Sequence, residues 1–373
     1  MEKRKDIHLE KFKSASVTIL LCFIGLWAYS YDYLQVSPVE VYFNYEAGHT
    51  RDAVTISDDG TAIVNDPEWE DWCGEKHKFA YIKSQSNRSI KVRLSGGSYS
   101  GLMHLLIKVS YVSGHIDGIG TVCNLFVSNF NTDSLLTLYP TGDFPLSVGV
   151  HEFQWRWEIY AIPVNNSNYC AAWDTTYSSH HFYTLLAAPL APMAQPWERV
   201  LGYACVWAIG QDNIYSIAEK VTEGIYYMGD LDGDIDYSLG SSYCLEYYKF
   251  RLINFLNDVK FRNNVLVNCT DCANLLNIFS ASLGCQANSR RIWSGLNTNQ
   301  IDPLGSTFGW TSVYWDYHHY GWIDSLVNDA SIRLYQNQVA IIPSNMSLNV
   351  YNPLLILGIV PIYSQIYTTE IVQ

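Results

Sequence analysis

Between residues 36 and 190 the apolar positions alternate with polar ones in short runs. "VEVYFNY", "SIKVRLSGG", "LLIKVSYVSG", "NLFVSNF" and "HEFQWRWEIYAIPV" are separated by Gly, Asp, Asn and Ser. That is the period of strands joined by turns. No helical period interrupts it, so the segment is predicted to form an antiparallel β-sandwich. A stretch carrying Pro189, Pro192 and Pro196 follows and is expected to be a linker.

Beyond it the period changes. Val200, Tyr203, Ala204 and Trp207 fall at helical spacing, and Gly210 closes the run. Ile214, Ile217, Val221, Ile225 and Met228 form a second helical stripe, "LEYYKFRLINFLND" a third, and "VNCTDCANLLNIFSASLGCQA" (267–287) a fourth. Strand patterns return after about residue 290. The reading is α+β, with a β-sandwich domain at 36–190, an α+β domain at 197–350 and a C-terminal tail at 351–373. A chain of 373 residues is long enough for about two domains. No internal repeat is visible.

Lys3, Arg4, Lys5, Lys11 and Lys13 precede an uncharged run from Ser14 to Tyr29, whose apolar centre is Val17–Trp27. Residues 1–30 are therefore expected to be an export signal, or a signal anchor as the one contact with a membrane. Cys22 lacks the small preceding residue of a lipid-attachment site. The formal net charge of −13 disfavours nucleic acid as a partner. Export places the cysteines in an oxidising compartment, where several are expected to pair. If Cys22 leaves and Cys269 stays free, Cys73, Cys123, Cys170, Cys205, Cys244, Cys272 and Cys285 remain, an odd number. The 28 Tyr and 12 Trp suit half-buried strand surfaces.

Two other patterns carry less. Asp230, Asp232, Asp234 and Asp236 alternate as calcium ligands do, but Gly233 comes too early and Ser241 replaces the bidentate glutamate. A solvated acidic loop is expected. The N-x-S/T sequons at Asn87, Asn165, Asn268 and Asn345 are read as chance matches.

In the fourth helix Cys272, Leu275, Leu276, Phe279 and Leu283 form one apolar stripe, and Gly284 is a natural stop. Asn268 and Thr270 are candidate N-caps. Cys269 then falls in the first turn, where a helix N-terminus favours the thiolate and free amides face an incoming carbonyl. Three other readings stay open. Cys269 and Cys272 would form a redox pair, Cys285 with His318 or His319 would help bind zinc, or Cys269 would be a plain buried or disulfide-bonded residue. A nucleophilic cysteine needs a histidine, and the histidine needs an acceptor. "FGWTSVYWDYHHYGWIDSLVNDASIRL" offers His318 and His319 on a predicted strand, pointing to opposite faces, with Asp324 and Asp329 beyond.

These residues carry a resemblance. Asn268-Cys269-Thr270-Asp271-Cys272-Ala273 running into "LGCQA" resembles the nucleophile segment of the transglutaminase-like superfamily. Tyr317-His318-His319-Tyr320-Gly321-Trp322 followed by Asp329-Ala330 is similar to an exported bacterial subgroup of it, across roughly residues 150–350. The resemblance implies a papain-like α+β fold. It gives Cys269 the role of nucleophile, His318 that of base and Asp329 that of orienter, with His319 and Asp324 as substitutes. It implies amide acyl transfer or hydrolysis on a protein or peptide, without cofactor or metal. No tryptophan or glutamine is assignable as second oxyanion donor. The alternative is an inactive surface protein that binds sugars or another chain through its aromatic-rich sandwich.

Overall fold

The structure, a computed structural model, describes residues 32–372 except 34, 44–52, 63–65, 87, 97–100, 115–123, 132–133, 141–143, 165–168, 171, 231–233, 241, 264, 307–308 and 359–363. The expected export segment, Cys22, Cys123, Asn87, Asn165, Asp232, Gly233 and Ser241 lie outside the described residues. The chain is α+β and mostly sheet. Among the described residues there are five helices: α1 (Glu198–Trp207), α2 (Ile214–Asp230), α3 (Leu252–Phe261), α4 (Cys269–Ser282) and α5 (Leu348–Leu355). No helix among the described residues is long and apolar enough to cross a membrane.

The alternating runs become two five-stranded sheets. One has the order Asn124–Phe130, Met103–Gly114, Gly149–Pro163, Ala172–Leu185, Phe79–Ile82; the other runs Leu135–Leu138, Ile90–Ser95, Ser37–Tyr42, Trp69–Glu70, Gly74–Glu75. Phe153, Trp155, Trp157, Ile159 and Ala161 point inward from one strand and join Val41, Ile90, Val92 and Leu94 of the other sheet in one apolar cluster. Pairing is not antiparallel throughout. Phe79–Ile82 runs parallel to Ala172–Leu185. Eighty-nine residues separate these strands in the sequence, so no hairpin fixes their relative direction.

A second cluster joins Ala80, Tyr183 and Leu185 of the sheets to Leu201, Ile217, Leu275 and Phe279 of the helices. At its centre lies α4, every residue of which is buried. The single apolar stripe expected from the sequence therefore understates its burial. Part of the polar side is satisfied internally: Asn274 Nδ2 donates to Tyr247 O (2.9 Å) and Thr270 O (2.8 Å), while Ser280 Oγ and Asn277 Oδ1 have no partner. Thr369 Oγ1 donates to Asn274 Oδ1 (2.7 Å) and accepts from Asn277 Nδ2 (2.8 Å). Gly284 ends the helix at φ +80°, where a Cβ would lie 2.5 Å from Ala187 O.

Against α4 stands a four-stranded sheet ordered Leu326–Asn328, Tyr314–Ile323, Asn288–Asn297, Ser364–Tyr367. Gly321 lets the helix come close, since a Cβ there would meet Leu276 Cδ2 at 1.9 Å. Gly321→Ala is expected to cost about 1–3 kcal/mol through overpacking, read as a lower urea midpoint. An unchanged midpoint would show that Leu276 moves aside freely.

The segment expected as a tail is instead woven in. Tyr351 and Leu355 of α5 are fully buried. Ser364–Tyr367 pairs with Asn288–Asn297, and Glu370–Ile371 pairs with Lys249–Phe250. Each covers a strand edge that would otherwise present unpaired backbone groups.

Candidate active site

The strand Val265–Val267 runs parallel to Ile235–Tyr237, with Tyr237 opposite Val267, and delivers the chain directly into α4. Asn268 is the N-cap. Its Oδ1 accepts from Thr270 N (2.8 Å) and Asp271 N (3.1 Å), while Asp271 Oδ2 accepts from Asn268 N (3.0 Å). This is a reciprocal capping box. The other Asp271 oxygen accepts from Ser242 Oγ (2.8 Å), Tyr243 N (2.9 Å) and Cys244 N (3.2 Å), tying the preceding loop to the helix tip. Burial pushes the Asp271 carboxyl up to about 6, against the pull of these bonds. Asn268→Ala is expected to cost about 0.5–2 kcal/mol, measured by thermal unfolding. A loss below that range would mean that Asp271 alone holds the tip.

The capping box fixes Cys269 at the first helical position. Cys269 is 5% exposed and opens on a cleft of about 180 Å³, lined also by Tyr237, Leu239, Trp315, Asp316 and Tyr317. The His318 imidazole and the Tyr237 hydroxyl both lie close enough to its thiol to be raised by it.

The two histidines alternate along their strand as expected. His318 shares a side with Tyr320, at 6.2 Å between rings, and stacks on Trp315 at 4.7 Å and 18°. His318 Nε2 bonds Asp329 Oδ2 at 2.7 Å, and both side chains are almost wholly buried. Nδ1 has no hydrogen bond of close geometry within the structure. Asp329 is itself anchored. Oδ2 accepts from the Tyr351 hydroxyl (2.6 Å), and Oδ1 accepts from Ser331 N (3.0 Å) and Ser331 Oγ (2.6 Å).

The electrostatics follow from this geometry. Burial opposes a charge on His318. The Asp329 carboxylate, its hydrogen bond and the Cys269 thiol outweigh that, and the imidazole is raised to about 10. Asp329 moves the other way, below the usual carboxylate range. Burial would raise it, but His318, Ser331 and Tyr351 hold it ionised. The Tyr237 phenol is raised well above its ordinary value, by burial first and then by Cys269.

The structure thus brings together Cys269, His318 and Asp329. His319 alternates with Gly321, toward α4, and both of its ring nitrogens lack partners. Burial first, then Arg291 and His318, push it down to about 3. The buried Arg291 guanidinium lies between Tyr247 (3.4 Å) and Tyr317 (3.7 Å). Asp324 is exposed at a turn, where it accepts a bond from the Tyr215 hydroxyl and does not join the imidazole.

Among the described residues six cysteines are free: Cys73, Cys205, Cys244, Cys269, Cys272 and Cys285. The expected pairing is thus absent among them. Cys205, Cys272 and Cys285 are core residues in the cluster around α4. Among the described residues no three His, Cys, Asp or Glu side chains converge as metal ligands would. Cys285 Sγ faces Ile214 O at 3.8 Å.

The sequence reading missed Tyr237, Trp315, Ser331 and Tyr351. Trp315, three residues before His318, was a local signal. Tyr237 and Tyr351 lie far from the cysteine and histidine in sequence and carry none.

No protein-family model matches the chain, and no curated protein matches it. Among solved structures it is similar to a transglutaminase from red sea bream, with a TM-score of 0.32 and 12% identity over 69% of this chain and 49% of the other. The chain thus spans about half the length of that protein.

Proposed function

We propose that this is a cysteine-dependent amide acyl transferase or hydrolase, with a papain-like arrangement behind an N-terminal β-sandwich and an export segment at residues 1–30. The observation that carries the reading is the buried His318–Asp329 pair meeting the Cys269 thiol in an open cleft. The motif resemblance around Cys269 and His318 supports it.

In this mechanism His318 has taken the Cys269 proton before the substrate arrives, and the sulfur then attacks the carbonyl of a protein or peptide amide. The raised imidazole suits a group that must hold that proton. Asp329 stabilises the imidazolium and fixes the ring. The tetrahedral oxyanion is met by the Cys269 backbone N–H at the helix tip and by the Tyr237 hydroxyl, whose raised phenol keeps its proton. His318 then protonates the leaving amine and a thioester remains. Water gives a carboxylic acid, and an amine gives a new amide; either step regenerates the thiol. Tyr237→Phe is expected to lower kcat by ~10²–10³ without changing the fold. A change confined to KM would remove Tyr237 from the oxyanion site.

Alkylation with iodoacetamide at neutral pH, followed by peptide mass mapping, tests the reading. Cys269, though nearly buried, should be modified faster than the exposed Cys73, and His318→Ala should remove that advantage. If Cys73 reacts first in wild type and His318→Ala changes nothing, there is no activated thiol here.

A further inference from the structure

The outer face of the sheet containing Gly149–Pro163 and Ala172–Leu185 plays no part in the chemistry above. A recess of about 300 Å³ opens on it, lined by Ser113, Gly114, Glu152, Phe153, Gln154, Ser179, His180 and His181. It lies where pairing with Met103–Gly114 shifts register, between Gln154 and Trp155. The strand Met103–Gly114 ends there, with Gly114 opposite Phe153, so the recess is lined from both sides of the sheet: by Gln154 and Ser179 from the outer side, and by Phe153 and His180 from the inner side, where the His180 ring packs on Phe43 and Trp155.

His180 is the informative residue. It is 1% exposed, and its Nδ1 has no hydrogen-bond partner. Its Nε2 lies 2.7 Å from Ser178 Oγ, which accepts from Trp157 Nε1 at 2.8 Å. The indole can only donate, so assigning the serine proton to Nε2 places the ring proton on Nδ1. Burial keeps the ring neutral. A buried N–H donor left without an acceptor is costly and calls for a ligand oxygen.

The same strand continues the surface away from the recess. Ser179, Tyr177, Thr175 and Trp173 follow at alternate positions, about 6.6 Å apart. Tyr177 is 51% and Trp173 53% exposed. The Tyr160 ring lies 5.5 Å from Trp173. The charged groups between, Lys108 and Arg156, already pair with Glu158 at 3.1 and 2.9 Å.

We propose that this face binds a neutral oligosaccharide, one sugar seated in the recess and the following rings stacked on Tyr177 and Trp173. Hydroxyls match the donor and acceptor mix of Gln154, Ser179, Glu152 and His180. Aromatic faces match the apolar side of pyranose rings. Charge favours the same occupant. The charges along the strip are mutually paired, and a chain at −13 disfavours both an acidic polymer and a second copy of itself.

The test is calorimetric titration of the full chain with chitohexaose, cellohexaose and laminarihexaose. At least one should bind saturably. Trp173→Ala and Tyr177→Ala should each weaken it ~tenfold, and both replace half-exposed side chains that the fold does not need. Cys269→Ser should bind as wild type does, which separates this site from the acyl-transfer reading. The proposal is overturned if none of the three saccharides binds, or if binding ignores both aromatic substitutions. It is equally overturned if wild type is a dimer that Trp173→Ala makes monomeric.

Discussion

Asp329→Ala is expected to lower stability by about 3–5 kcal/mol and turnover by ~10⁴-fold. Asp329 and His318 are 1% and 0% exposed. Removing the carboxylate leaves a buried imidazole with its burial penalty and no counter-charge, and it orphans the Tyr351 and Ser331 hydroxyls as well. The raised pKa of His318 should then fall below the ordinary imidazole value, since burial is what remains. The sign of the pH dependence is a further check. His318 is raised in the folded state, so its contribution is complete below about pH 6.5 and is lost as pH rises through about 10. Asp329 is lowered, so its contribution is present above the usual carboxylate range and is lost as acid protonates it. Asp329→Asn, which keeps the shape, should flatten the alkaline loss. Urea midpoints from pH 6 to 10 and imidazole titration by NMR read both effects. A variant as stable and as active as wild type would mean that Asp329 does not orient His318.

Acid should destabilise the protein well above the ordinary carboxylate range. His180 and His319 are both held to about 3, chiefly by burial. Each takes up a proton on unfolding at any pH between that value and about 6.5, so stability falls with pH by ~1.4 kcal/mol per unit for each histidine. Between pH 6.5 and 4.5 that amounts to about 5 kcal/mol. Asp271, raised to about 6, acts in the opposite sense and offsets about 2 kcal/mol of it. The net expectation is a loss of about 3 kcal/mol. His180→Phe and His319→Phe should each make the dependence shallower. Equal slopes in wild type and both variants would show that neither histidine is neutral when folded.

The parts legible in the sequence were those governed by local period. The alternation through "HEFQWRWEIYAIPV" became a strand with Phe153, Trp155 and Trp157 inside. The helix expected from Cys269 to Gly284 formed between an Asn cap and a left-handed glycine, because both boundary signals act within a few residues. What failed depends on distant pairing. Nothing near Phe79 announces a parallel partner at 182–185. Only one apolar stripe of α4 was legible, because Thr369, the partner that lets its polar residues be buried, lies 95 residues beyond Asn274. Asp329, to which the resemblance gave the orienting role, is the carboxylate that bonds His318, and the sequence carried no sign of Tyr351, which anchors it from the segment expected as a tail. The unpaired thiols were missed because the argument came from compartment rather than geometry.

The weaving of the last strands into the body makes the cysteine helix hostage to its back door. Proteolytic clipping before Ser364 would strip Thr369 from Asn274 and Asn277, leaving Asn274 Oδ1 and Asn277 Nδ2 without that partner inside the core, more than a full helical turn from Cys269. Under the proposed acyl-transfer reading, activity would be silenced by a protease that never approaches the cleft.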